Sequence, residues 1–195
     1  APDGSMLLVT AEHTFTVNPS LGVNTLQEFI ALAKSRPGTM SYGSTANNVQ
    51  LFMDEFNRVN GTDLQYIAYK GGGEAVNALL GGEVQVLFSS LGGLIPHVKA
   101  GRLRTLGVTG PKRTPSAPEI PTIAEAGVPG FEVSGWYGLA ATAKTPAATI
   151  DRLNAAIKET MKDPKVLRLY GEAGLEAYSE EMLSPAASHA FVQEE

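Results

Sequence analysis

The feature that most constrains this chain is an alternation of strand-like and helical segments between residues 25 and 108. Apolar segments of strand length lie at 40–43, 64–69, 84–88 and 103–108. Between them lie segments with apolar residues at helical spacing, and the connecting loops are short. Strands that alternate with helices in this way predict a parallel sheet with helices on its faces. The pattern therefore predicts an α/β fold.

Residues 109–195 have a different character. Four prolines, at 111, 115, 118 and 121, are typical of an ordered crossing segment or a linker. A short helix is expected at 121–126, and an aromatic strand at 131–141 contains the only tryptophan, Trp136. Proline pairs then predict the starts of three helices, at Thr145-Pro146, Asp163-Pro164 and Ser184-Pro185. A boundary is expected near 109–115.

Composition excludes several classes of function. The net charge is −5 and no basic stripe is present, so nucleic acid is not an expected partner. Cysteine is absent, which excludes disulfides, thiolate nucleophiles and cysteine metal sites. The three histidines, His13, His97 and His189, are scattered, and His97 is interpreted as structural. No metal site and no cofactor is therefore expected.

Three loops rich in small and polar residues follow predicted strands and precede helices. They are GSTANN at 43–48, YKGGGE at 69–74 and FSSLGG at 88–93. In an open parallel sheet, ligands bind beyond the carboxyl ends of the strands. A helix N-terminus there presents unpaired N–H groups, which suit an anion such as a carboxylate. Each loop also has a plainer interpretation as a turn or an N-cap cluster.

Known catalytic and phosphate-binding motifs do not fit these loops. Lys70 precedes the glycines, whereas a phosphate loop places its lysine after them. Val76 occupies the position of the last glycine of a dinucleotide fingerprint, and the G-x-S-x-G motif is absent. Lys70 is interpreted as a charge partner for an anion. A reactive amine at Lys70 remains the alternative.

Several longer segments carry a resemblance to a known family, which covers nearly the whole chain and is specific only in combination. They are APDGSMLLV at 1–9, VNPSLGVNTLQEFIALAKSRPG at 17–38, YKGGGEAVNALLGGEVQVLF at 69–88, PHVKAGRLRTLGVTGPKR at 96–113, PTIAEAGVPGFEVSGWYGLAA at 121–141 and TPAATIDRLNAAI at 145–157. In this combination the chain resembles the solute-binding receptors of tripartite tricarboxylate transporters, the Bug or TctC-like family.

The resemblance implies a type II periplasmic-binding-protein fold, with parallel-type sheets flanked by helices and a cleft between two domains. It implies domain two at 22–108, a remnant of domain one and the hinge at 1–21, and the return crossing and C-terminal helices of domain one at 109–195. The ligand-binding residues that it implies are Ser44, Thr45, Asn47, Asn48, Lys70, Gly71, Gly72, Ser89 and Ser90. Trp136 is expected near the hinge, either as core packing or as a cleft contact.

Two departures from the family pattern are visible. The stretch Val49-Gln50-Leu51 stands where members commonly carry a histidine. The family's first strand and its Pro-Gly-Gly loop have no counterpart, and AEHTFTVNPS at 11–20 joins segments that other members separate. Domain two is therefore expected to be complete and domain one partial, in a chain truncated at its N-terminus and missing an internal segment.

The resemblance implies a non-enzymatic receptor in the periplasm. Its expected ligand is a small carboxylate, such as a di- or tricarboxylate, and its expected partners are the membrane permease subunits of a tripartite transporter. A monomer is expected. Two other functions remain open at this point: an enzyme that acts on a small organic acid through Lys70, and a ligand-sensing receptor for a signalling partner.

Overall fold

The computed structural model of the chain describes residues 6–45, 48–142 and 144–194. The chain forms two compact units, one of Glu12–Ser134 and one that joins Ala1–Ala11 to Gly135–Glu195. Each unit has its own cluster of buried apolar side chains. The segment 22–108, interpreted above as domain two, lies within the Glu12–Ser134 unit, and its boundaries stay a prediction.

The Glu12–Ser134 unit is built on a sheet with the strand order β3-β2-β4-β1-β5. Its strands are β1 (Met6–Val17), β2 (Met40–Ser44), β3 (Leu64–Ala68), β4 (Val86–Ser90) and β5 (Arg104–Val108). Its helices are α1 (Leu26–Ser35), α2 (Asn48–Asn60), α3 (Gly72–Gly81) and α4 (Ile95–Lys99), and a single 3-10 turn spans Pro19–Leu21. The alternation predicted from the sequence is therefore present.

The sheet is mixed, whereas the sequence pattern alone predicts a parallel one. Strand β2 pairs in parallel with β3 and β4, but β1 lies antiparallel between β4 and β5. Strand β1 is buried on both faces, since Thr14 and Thr16 are as inaccessible as Phe15. The Oγ1 atoms of Thr14 and Thr16 are 3.1 Å apart, and that of Thr16 is 2.9 Å from Thr105 Oγ1 on β5. Because the hydroxyl groups of Thr14 and Thr16 are paired, these polar side chains can be buried on one face of β1.

The prediction of a short helix at 121–126 is wrong. Pro121 O accepts a hydrogen bond from Val108 N at 2.9 Å, and Ile123 N donates to Val108 O at 2.8 Å. This segment therefore continues the hydrogen bonding of the sheet beside the end of β5, with a parallel bridge between Val108 and Thr122. Turns follow as far as Gly127. Backbone groups that bond to β5 are not free to close a helix.

The second unit contains two strands and three helices besides the start of β1. They are β6 (Ser134–Leu139), β7 (Leu175–Ala177), α5 (Ala147–Thr160), α6 (Pro164–Glu172) and α7 (Pro185–Glu194). Strand β7 pairs antiparallel with β1, with Val9 opposite Ala177. Buried side chains of this unit include Val9, Met161 and Leu183. Within the described ranges of both units, no helix is long and apolar enough to cross a membrane.

Burial of His13 on β1 makes the stability of the Glu12–Ser134 unit depend on pH. The imidazole stacks on Phe88 with 5.3 Å between ring centroids, and burial lowers its pKa below the usual value. As the pH falls below about 6.5, the unfolded chain binds a proton that the folded chain does not. The free energy of unfolding is therefore expected to fall from pH 7.5 to pH 5.5. Urea denaturation should show a steeper fall for the wild type than for His13→Gln, and equal slopes would contradict this assignment.

Candidate functional site

The ends of three neighbouring strands bring the sequence-predicted loops to one edge of the sheet. Strands β3, β2 and β4 are parallel neighbours, and they end at Ala68, Ser44 and Ser90. Ser44 lies opposite Ala68 in the register of β2 and β3. Because parallel strands end at the same edge, the segments that follow them share one side of the sheet. Ser89 and Ser90 are the last residues of β4 itself rather than part of a loop.

A cavity of about 390 Å³ lies at this edge, between the first turn of α3 and helix α4. It brings together three of the sequence-predicted residues, Gly72, Ser89 and Ser90. The other lining residues are Gly73, Val76, Asn77, Gly93, Leu94 and His97. The lining therefore combines two helices with the end of the central strand β4.

The first turn of α3 presents backbone N–H groups to this cavity. Gly71 is the N-cap residue and offers no side-chain acceptor, and the first bond of the helix runs from Ala75 N to Gly71 O at 3.2 Å. The N–H groups of Gly72 and Gly73 precede that bond and have no partner within the helix. The Glu74 carboxylate accepts from Lys70 N at 3.2 Å. The two glycine amides are therefore available to an anion.

Neither packing nor backbone conformation requires glycine at 71–73. A Cβ atom built at any of the three meets no other atom within 4 Å. None of the three has a positive φ, and Gly71 is extended at −157°. By contrast, a Cβ at Gly43 on β2 would lie 2.8 Å from the ring of Tyr69. Gly43 thus serves packing, whereas the open space before Gly72 and Gly73 admits a ligand to the backbone.

The polar side chains that line the cavity are not engaged by other described residues. Asn77, Ser89, Ser90 and His97 make no side-chain hydrogen bond within the parts of the chain that the structure describes. The Nδ1 atom of His97 is buried and lacks a partner there. No aspartate, glutamate, lysine or arginine is among the described residues that line the cavity. The cavity therefore offers polar groups that are free to bind a ligand, and no acidic side chain is among its described lining residues.

Ser44 and Thr45, at the end of β2, are not among the described residues that line this cavity. Ser44 is buried and its backbone oxygen accepts from Tyr69 N at 3.0 Å, whereas Thr45 is exposed. Asn47 lies outside the described residues. Asn48 is the first residue of α2. A ligand-binding role for these four residues stays a prediction.

Lys70 and Trp136 are also not brought to the cavity. Lys70 is exposed at the end of β3 and is not among the lining residues. Trp136 lies on β6, in the second unit, where its ring meets Phe191 of α7 edge to face at 6.2 Å. The ligand-binding roles given to both residues stay predictions.

Gly73, Asn77, Gly93 and His97 are cavity residues that the sequence analysis did not name as ligand contacts. Their spacing carried a usable signal. Asn77 follows Gly73 by four residues, and His97 follows Gly93 by four. Gly73 and Asn77 both belong to α3, where residues four apart lie on the same face. Gly93 precedes α4, and His97 lies about one turn further along the chain. His97 was interpreted as structural because it lies inside a helix.

Comparison with known proteins identifies the family. The model of the tripartite tricarboxylate transporter family receptor, TctC, matches residues 4–195. The chain belongs to this family. The TctC match covers both units, so the family prediction made from the sequence is confirmed, and the family is one of transporter receptors rather than enzymes.

Relatives of known sequence or structure support the TctC assignment. The UPF0065 protein in the tcbD-tcbE intergenic region of Pseudomonas sp. strain P51 is 33% identical over 175 residues, which are 88% of this chain and 49% of that protein. The chain spans about half the length of the curated relatives it matches.

Solved structures of two similar proteins share the fold. R. palustris Rpa4515 with adipate matches with a TM-score of 0.87 and 28% identity, over 99% of this chain and 64% of that chain. The periplasmic binding protein BugD matches with a TM-score of 0.87 and 27% identity, again over 99% of this chain and 64% of that one. The predicted periplasmic-binding-protein fold is confirmed, with a mixed sheet.

Proposed function

We propose that this chain binds a small carboxylate as the receptor of a tripartite tricarboxylate transporter. The observation that carries the proposal is the cavity at the end of β4, which Gly72, Gly73, Ser89 and Ser90 line and whose described lining contains no acidic side chain. Membership of the TctC receptor family supports the same function. The proposed ligand is a di- or tricarboxylate or a related organic acid.

The cavity offers a carboxylate several hydrogen-bond donors at once. The oxygens of the carboxylate would accept hydrogen bonds from the N–H groups of Gly72 and Gly73 and from the hydroxyls of Ser89 and Ser90. A hydrogen bond to a charged group contributes about 1.5–3 kcal/mol. The partial positive charge at the start of α3 adds about 0.3–1 kcal/mol. Backbone and hydroxyl donors can therefore hold a carboxylate without an arginine.

The relative Rpa4515 was solved with adipate, which carries two carboxylates. Two carboxylates require donors at two places, and the cavity described here supplies one of them. We assign Thr45 and Lys70 to outer contacts, because both are exposed at the same edge of the sheet. Ser44, Asn47, Asn48, Gly71 and Trp136 complete the proposed ligand-binding set.

The setting of this activity follows from the family. As a receptor of this kind, the protein would act in the periplasm and deliver its ligand to membrane permease subunits. BugD, at 27% identity, is a periplasmic binding protein. An enzymatic role for Lys70 is not proposed, because the lysine does not line the cavity and the family is one of receptors.

Isothermal titration calorimetry with a panel of mono-, di- and tricarboxylates tests the proposal. At least one acid is expected to bind and to raise the melting temperature, since a ligand that binds only the folded state stabilises it. The diamide of the best-binding acid is the matched control and is expected to bind more weakly. The absence of both heat and a thermal shift with every acid of the panel would contradict carboxylate capture. Equal affinity for the acid and its diamide would also contradict it.

A further inference from the structure

We infer that His97 contacts the bound carboxylate and sets the preference of the cavity for an anionic ligand. This inference rests on the proposed function and assigns one more residue to the same site. Three observations carry it: the place of His97 in the cavity wall, the lack of a hydrogen bond from its side chain to the described residues, and the absence of other ionisable groups from the described lining.

Helix α4 holds His97 in the cavity wall through its backbone. The N–H of His97 donates to Leu94 O at 3.0 Å, and its carbonyl oxygen accepts from Arg102 N at 2.9 Å. Leu94 is itself buried and lines the cavity. The backbone is therefore fixed on both sides of the residue, and the imidazole is positioned by the helix before any ligand arrives.

The side chain of His97, unlike its backbone, has no partner. Its Nδ1 atom is buried and makes no hydrogen bond to the described residues. A buried polar atom without a partner costs free energy, and such atoms are uncommon in folded proteins. The other ring nitrogen, Nε2, is not one of the buried atoms and makes no hydrogen bond to the described residues. It is therefore the nitrogen that a ligand oxygen in the cavity can reach.

The imidazole of His97 differs in chemistry from the other side chains of the lining. Glycine, valine, leucine, asparagine and serine make up the rest of the described lining, so His97 is its one ionisable side chain. Imidazole donates from one nitrogen when neutral and from both when protonated. A hydrogen bond from an imidazole N–H is stronger to a charged carboxylate than to a neutral amide, so His97 favours the acid over its diamide. Lys70, the cation expected from the sequence, is exposed and outside the cavity.

Calorimetry on a matched pair of variants tests this assignment. His97→Gln keeps a donor but removes the imidazole, and it is expected to weaken binding of the best acid of the panel about tenfold to a hundredfold. His189→Gln, on α7 of the second unit, is the control and is expected to bind as the wild type does. Full affinity in His97→Gln would overturn the assignment.

A measurement on the wild type keeps the test valid if His97→Gln does not fold. The ring nitrogens of the three histidines are observed by ¹⁵N NMR during titration with the same acid, and His97 is assigned from its own amide resonances. Its ring nitrogens are expected to shift, while those of His189 stay in place. Binding without a shift at His97 overturns this inference alone. No binding of any acid by the wild type overturns the proposed function, and the inference with it.

Discussion

Replacing Phe15 with alanine is expected to lower the free energy of unfolding of the Glu12–Ser134 unit by about 3–5 kcal/mol. Phe15 is fully buried on β1 and packs against Phe29 of α1 and Phe56 of α2, with centroid distances of 4.9 and 5.1 Å. Alanine leaves a cavity at the place where two helices meet the sheet. Because β1 lies between β4 and β5, the backbone there cannot easily move to fill it.

Urea denaturation followed by circular dichroism measures the loss. Amide hydrogen exchange on β4 and β5 assigns it to this unit rather than to the other. Phe15→Leu, which keeps most of the volume, is expected to cost less than about 1.5 kcal/mol. Leu51→Ala on α2 removes a side chain that is 71% exposed, and it should change stability by no more than about 0.5 kcal/mol. A Phe15→Ala protein as stable as Leu51→Ala would show that this aromatic cluster is not the core.

The part of the fold that could be predicted from the sequence is the part that local interactions determine. Helix α1 is an example, because Thr25 caps it by accepting from Glu28 N at 3.1 Å and four of its residues face the core. Such signals lie within a few residues of each other. The same holds for the glycines that end helices, such as Gly82 with its left-handed backbone.

Strand β1 shows what local pattern cannot supply. Only its residues 6–10 are strand-like in the sequence, and its partners β4 and β5 lie 69 or more positions away along the chain. Its antiparallel direction depends on how the chain returns to the sheet. The segment 121–126 gives the same lesson, because a helix is predicted there and the observed hydrogen bonds run to Val108 instead.

The candidate site divides in the same way. Gly72, Ser89 and Ser90 could be predicted to meet, because parallel neighbours end at one edge. The place of His97 in the cavity wall could not be predicted, since it depends on how far apart α3 and α4 lie. Nor does residue type give the direction of the Lys70 side chain, which determines whether the charge enters the cavity. Side-chain direction on a helix or at a strand end depends on packing that a single sequence does not state.

Replacing both Gly72 and Gly73 with alanine is expected to abolish most ligand affinity without loss of stability. The added methyl groups meet no protein atom within 4 Å, so the fold accepts them. Alanine also favours a helix more than glycine does, by up to about 1 kcal/mol per residue in a helix interior. Under the proposed function, the methyl groups instead fill the open space beside the two amides, through which the carboxylate would approach. Loss of two charge-assisted hydrogen bonds corresponds to at least a hundredfold weaker binding, about 3 kcal/mol or more.

The matched control lies in the same helix. Gly81 ends α3, and a Cβ atom there also meets nothing within 4 Å, so Gly81→Ala tests the same substitution away from the cavity. In calorimetry, Gly81→Ala should bind the ligand as tightly as the wild type does. The double variant should bind it at least a hundredfold more weakly. The melting temperatures of both variants should equal or exceed that of the wild type. A double variant that melts like the wild type and still binds tightly would show that the ligand does not reach the amides of Gly72 and Gly73. Both glycines would then be left without a structural or a functional reason, since neither packing nor backbone conformation requires them.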